Sequence, residues 1–153
     1  MPHFIGEFQC TMDTKGRILI PAGLMKQLPK NSKKQLVVNC GFEKCLVLYT
    51  PDEWKLITDE LNKLNPFVKE NREFTRLFNR GANILAIDTA QRVLIPKILQ
   101  EYAGLKSDVV MVTNSSKIEM WDKATYEKEM SKDPQHFSDL AERVMGGAKN
   151  NIT

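Results

Sequence analysis

Long apolar runs are missing from this chain. No stretch approaches the ~20 residues needed to span a bilayer. The opening Met1-Pro2-His3-Phe4 has no charged region ahead of an apolar core, so no secretory signal is expected. A cytoplasmic protein follows. Histidine and cysteine are scarce, at two and three residues in 153. An odd number of cysteines without a signal peptide reads as free thiols in a reducing compartment. Cys40 and Cys45 flank residues 41–44 like half of a zinc knuckle. No second pair follows and His3 and His136 are remote, so they read as half-buried hydrophobes in a hairpin. No metal or cofactor is expected.

Charge of one sign is also missing. Lys and Arg total 22 and Asp and Glu 19, for a net charge of +3. That permits nucleic-acid binding without arguing for it. Enzymatic signatures are absent too: no phosphate-binding Gly-rich loop, no His-x-x-x-His pair and no Gly-x-Ser-x-Gly elbow. Asp13 and Asp88 could form a carboxylate pair. Each has an Arg four residues on, which favours the ionised form and opposes general-acid duty. The chain is not read as an enzyme.

What is present is an internal repeat. Residues 13–21 read Asp-Thr-Lys-Gly-Arg-Ile-Leu-Ile-Pro, and residues 88–96 read Asp-Thr-Ala-Gln-Arg-Val-Leu-Ile-Pro. Six of the nine positions are identical. The likeness extends over about 45 residues, which implies a duplicated unit whose halves pack as pseudo-symmetric partners.

Each unit predicts strand, turn, strand, short helix, then a strand hairpin. In the first, residues 7–12 form a strand and 13–16 a turn. Asp13 accepts backbone N–H bonds there and Gly16 takes positive φ. Residues 18–20 resume the strand, and Pro21 opens a short helix through Leu24 and Leu28. Residues 36–40 and 45–49 pair around the 41–44 loop. Thr50-Pro51-Asp52-Glu53 has the form of a capping box, with Glu53 reaching back to the Thr50 N–H. Trp54, Ile57, Leu61 and Leu64 follow at helical spacing. Asn65-Pro66 breaks that helix and 67–79 forms another, with Phe67, Phe74, Leu77 and Phe78 apolar and Lys69, Arg72, Arg76 and Arg80 basic. The second unit opens at 82–87, pairs 109–113 with 117–121, and leads into a helix capped by Asp122. A last helix starts at Asp133-Pro134, with Phe137, Leu140 and Val144 as its stripe and Gly146-Gly147 as its stop. Residues 148–153 read as a disordered tail.

Two Asp-x-x-x-Arg-strand-Pro motifs at this spacing resemble the MraZ family, whose repeat is the SpoVT/AbrB swapped-hairpin unit. Supporting pieces are Gly6-Glu7-Phe8, the 45–49 strand before Trp54, Gly81-Ala82 and residues 101–105. The resemblance covers residues 4–145. It implies an α+β fold, mainly β with peripheral helices: a pseudo-symmetric AbrB-like barrel of two tandem repeats. The parts are a first half at 4–52, a helical connector at 53–80, a second half at 81–124, and C-terminal helices and tail at 125–153. It also implies a nucleoid-associated regulator. That regulator forms ring-like homo-oligomers and binds repeated boxes in double-stranded DNA near division and cell-wall genes.

The candidate DNA-contacting residues are Thr14, Lys15, Gly16 and Arg17, with Thr89, Gln91 and Arg92 in the second copy. An Arg at a hairpin tip can pair bidentately with guanine O6 and N7. Asp13 and Asp88 structure the turns, since a carboxylate facing phosphates is repelled. The copies are unequal, because Ala90-Gln91 replaces Lys15-Gly16. Residues 13–34 also hold six basic residues against Asp13 alone. The first unit is expected to attract phosphates more strongly. The competing reading is an oligomeric interaction module or antitoxin-like binder, with the apolar helix stripes as docking faces.

Overall fold

The computed structural model describes residues 3–146. Gly147 of the expected helix stop and the expected disordered tail lie outside them. The first unit runs β1 (Glu7–Thr11), β2 (Arg17–Leu19), α1 (Ala22–Met25), a 3-10 turn at Lys30–Ser32, β3 (Gln35–Cys40), β4 (Leu46–Tyr49), α2 (Pro51–Asn62) and α3 (Lys69–Asn79). The second repeats it as β5 (Asn83–Ala86), β6 (Arg92–Leu94), α4 (Lys97–Ala103), β7 (Asp108–Asn114), β8 (Lys117–Asp122), α5 (Lys123–Met130) and α6 (Pro134–Met145).

The two units interleave. The main sheet is antiparallel with order β1-β7-β8-β4-β3-β5, so each unit's first strand pairs inside the other unit. The order reads the same from both ends when each strand is exchanged for its counterpart. That is the pseudo-two-fold the repeat predicts. The fold is α+β, with a β core and peripheral helices, although helices carry more residues than strands. Hydrogen bonding does not close the sheet into a barrel. Edge strands β1 and β5 do not pair with each other, and β2 and β6 form a separate two-stranded ribbon beside both. Pro21 and Pro96 follow within two residues of the ribbon strands. Proline has no N–H to donate, so neither ribbon strand runs on through it.

Alternation along the ribbon drives its burial. Ile18, Ile20, Val93 and Ile95 are at most 1% exposed and enter one continuous core with Leu24, Leu36, Leu48, Leu99 and Met111. Fully burying each such side chain contributes about 1.5–3 kcal/mol. Pro21 and Pro96 sit at the N-caps of α1 and α4, and both carbonyls accept from the first turn. The Thr50 hydroxyl caps α2 through the Glu53 N–H at 3.2 Å. The other half of the expected capping box does not form. Glu53 is 7% exposed, and its Oε2 is buried without a hydrogen-bond partner among the described residues. Asp122 and Asp133 cap α5 and α6 as their positions predict.

Candidate nucleic-acid interface

The two motif turns have the same hydrogen-bond network. In the first, Gly16 N–H donates to the Asp13 carbonyl at 3.0 Å, and Asp13 N–H to the Arg17 carbonyl at 2.9 Å. Asp13 Oδ1 accepts from the backbone N–H groups of Lys15 and Arg17, both at 2.9 Å. In the second, Gln91 N–H donates to the Asp88 carbonyl, and Asp88 Oδ1 accepts from the N–H groups of Ala90 and Arg92. Gly16 has φ +85° and Gln91 has φ +63°. The missing glycine therefore does not change the second turn, and Gln91 accepts the left-handed backbone instead. Gly16 cannot be replaced as easily. A Cβ there would meet Gln100 Nε2 and lie 3.3 Å from the Ile95 carbonyl.

The turns also lock onto each other. Ile20 N–H donates to the Gln91 carbonyl and Ile95 N–H to the Gly16 carbonyl, both at 2.9 Å. These bonds extend the ladder in which Arg17 faces Leu94, Ile18 faces Val93 and Leu19 faces Arg92. Side chains alternate across a strand. Ile18 and Val93 point into the core, while Arg17, Leu19, Arg92 and Leu94 share the outer face. Arg17 and Arg92 take diagonal corners, and such diagonal neighbours lie about 7–8 Å apart. Leu19 and Leu94 take the other corners and are 56% and 57% exposed.

Each arginine is aimed by its own aspartate. Arg17 Nε donates to Asp13 Oδ2 at 2.8 Å, and Arg92 Nε to Asp88 Oδ2 at 3.0 Å. Among the hydrogen bonds of the described residues, none engages the terminal guanidinium nitrogens. The paired edge orients the fork and leaves its outward nitrogens for a planar acceptor pair. The ion pairs are half-exposed, so they direct side chains more than they stabilise the fold. The backbone N–H of Arg17, then its side chain, holds the Asp13 carboxyl below the usual aspartate value. For Asp88 the backbone N–H of Arg92 leads, and the Arg92 side chain adds to it against partial desolvation. Both carboxylates stay ionised, the state that holds an arginine and not the state that donates a proton.

The remaining candidates fall on the same turns. Thr14, Lys15, Thr89 and Gln91 are exposed, whereas Gly16 is buried and supplies turn geometry and a carbonyl. Leu19 and Leu94 were not singled out from the sequence as surface residues. The alternation Arg17-Ile18-Leu19-Ile20 would have marked Leu19 as outward beside Arg17. The cysteines are free and pack as hydrophobes, Cys45 buried and Cys10 and Cys40 half-buried. Burial pushes the Cys10 thiol up to about 11 and Cys45 up to about 12, and raises Cys40. No helix among the described residues is long and apolar enough to cross a membrane.

The tandem pair of ribbon turns is mirrored in comparisons with known proteins. The family described as "MraZ protein, putative antitoxin-like" matches twice, over residues 3–77 and 78–146. The chain belongs to the MraZ family. A relative named transcriptional regulator MraZ from Flavobacterium psychrophilum is 40% identical over 151 residues, covering 98% of this chain and 96% of its own. One from Christiangramia forsetii is 38% identical over 147 residues, covering 95% of each chain. Another, from Pediococcus pentosaceus, is 35% identical over 142 residues, covering 93% of this chain and 96% of its own. These MraZ relatives match over nearly the whole chain.

Proposed function

We propose that the protein is a transcriptional regulator that reads short repeated boxes in double-stranded DNA. Its own promoter, within a division and cell-wall gene cluster, is among the sites. It acts at the nucleoid and has no catalytic role. The observation that carries this reading is the shared outer face of the β2–β6 ribbon, with two arginines at diagonal corners, each aimed by an aspartate.

That face is small enough for one major groove, about 12 Å wide. Each guanidinium can pair with guanine O6 and N7, and Leu19 and Leu94 can meet thymine methyl groups. Lys15, Thr14 and Thr89, exposed on the turns, would contact flanking phosphates, which position the protein without reading sequence. One ribbon touches only a few base pairs, and single small modules bury little surface. Tight binding then needs several chains tethered in a ring-like assembly, each on one box. Tethering raises avidity by roughly 10²–10⁴.

The test is binding of the purified protein to DNA upstream of its own gene under excess non-specific competitor. Retention of a discrete footprint is the expected result. Binding that the competitor removes entirely contradicts the reading.

A further inference from the structure

Among the described residues, helix α6 stands open along its length. Every residue from 131 to 146 is exposed. Phe137 is 74% exposed, and Leu140, on the same stripe, is 41% exposed. A lone helix of about 12 residues is marginal in water, and one with an apolar face is stabilised by packing that face away.

A matching groove lies between α2 and α3. Phe78 stacks on Trp54 at 5.8 Å between ring centroids, with Phe74 beside it. Next to them Leu56, Ile57 and Leu61 line an open groove of about 540 Å³. Leu56 and Phe74 are 47% and 43% exposed. The groove also holds Glu53, nine-tenths buried, whose Oε2 has no partner among the described residues. A buried carboxylate oxygen left unpaired is unfavourable and calls for a donor from outside.

The polar groups match in spacing, and Arg143 is opposite in sign to Glu53, whereas Glu60 already holds the Lys63 ammonium at 2.9 Å. Glu53 and Glu60 stand seven residues apart on α2 and both line the groove. On α6, His136 and Arg143 also stand seven residues apart, on one flank of the Phe137–Leu140 stripe. Seven residues of helix span about 10.5 Å. An antiparallel helix laid along α2 therefore brings Arg143 to Glu53 and His136 to Glu60 together.

We infer that α6 of one copy seats in the α2–α3 groove of a second copy, with Arg143 paired to Glu53. The inference rests on the reading that the protein assembles with itself, and it names the surface that does so. Each copy gives one helix and receives one, a head-to-tail contact that builds a ring when the rotation closes. Neither surface uses Arg17 or Arg92.

The test is the solution mass of the full chain by light scattering, with circular dichroism as the check on folding. Wild type is expected as a multiple of the 17.5 kDa chain. Phe137→Asp and Arg143→Glu are expected to fall to the single-chain mass while staying folded. Adding Glu53→Arg to Arg143→Glu is expected to restore assembly. Variants that remain assembled overturn this interface and leave self-assembly standing. Loss in Arg143→Glu that the double variant does not regain overturns the Glu53 pairing. A single-chain wild type overturns both this inference and the assembly it rests on.

Discussion

Arg17 and Arg92 lie on one face of one ladder, although 75 positions separate them in the chain. Arg17 faces Leu94 and Arg92 faces Leu19 across it. The duplicated motifs therefore form a single surface, not two separate tips. Its pseudo-two-fold passes through the buried Ile18–Val93 pair. The flanks of that axis differ, with Lys15 and Gly16 on one side and Ala90 and Gln91 on the other.

That inequality predicts unequal losses. Lys15→Ala is expected to weaken specific and non-specific binding alike and to flatten the salt dependence by about one phosphate contact. Arg92→Ala is expected to cost less than Arg17→Ala, because no lysine supports the second turn. Binding titrations at several salt concentrations check this. Equal losses from the two arginine variants would remove the asymmetry.

The left-handed residues predict opposite stability changes. Gln91 sits at φ +63°, a conformation that costs a non-glycine residue about 1–2 kcal/mol. Gln91→Gly is expected to raise the melting temperature, with a gain of up to about 1 kcal/mol after the entropy glycine loses on folding. Gly16→Ala is expected to lower it by more than about 1 kcal/mol, since strain and the clash with Gln100 add. Thermal unfolding of both variants decides. A stabilised Gly16→Ala would contradict the turn geometry.

Acid should disorder the reading face late. Asp13 and Asp88 titrate below the ordinary aspartate value in the folded chain. A depressed carboxylate contributes its stabilisation fully above its unfolded value and loses it as pH falls through the folded one. The arginines are therefore expected to stay aimed until the pH falls below the ordinary aspartate value. The Asp13 and Asp88 carboxyl carbons, followed by NMR, should titrate below the ordinary aspartate value. In Asp13→Asn the Arg17 Nε resonance should lose its dependence on acid. Ordinary titration of both aspartates would sink the aiming role.

Box spacing should matter if several chains read DNA together. An insertion of about 5 bp between boxes turns one to the opposite face of the duplex. Gel shifts with one box, native repeats and the spaced repeats are expected to show tight binding only for the native array. Equal affinity for one isolated box would contradict multivalent reading.

Much of this was legible in the sequence because it follows from local chemistry. Asp at a turn start, proline after a strand and a β-period of two place the turns, the ribbon and the buried Ile18 and Ile20. The repeat itself predicts the pseudo-symmetry. Pairing between units was not legible, since β1 finding β7 and β5 finding β3 is set by contacts distant in the chain. The conformation of the second turn was not legible from Gln91 alone, because the Asp88 and Ile20 bonds hold its backbone against an intrinsic preference. Glu53 was read as a cap. Its burial is set by tertiary packing, which helical spacing on α2 does not encode.

The central claim is that the ribbon arginines read bases. Its most direct test is Arg17→Ala measured in parallel on the operator and on unrelated DNA, with folding and solution mass checked. A lost bidentate contact costs about 1–3 kcal/mol at each engaged chain. Specific binding is expected to disappear, while non-specific binding falls only by the loss of one charge. An Arg17→Ala protein that still prefers its operator as strongly as the wild type does would contradict the account.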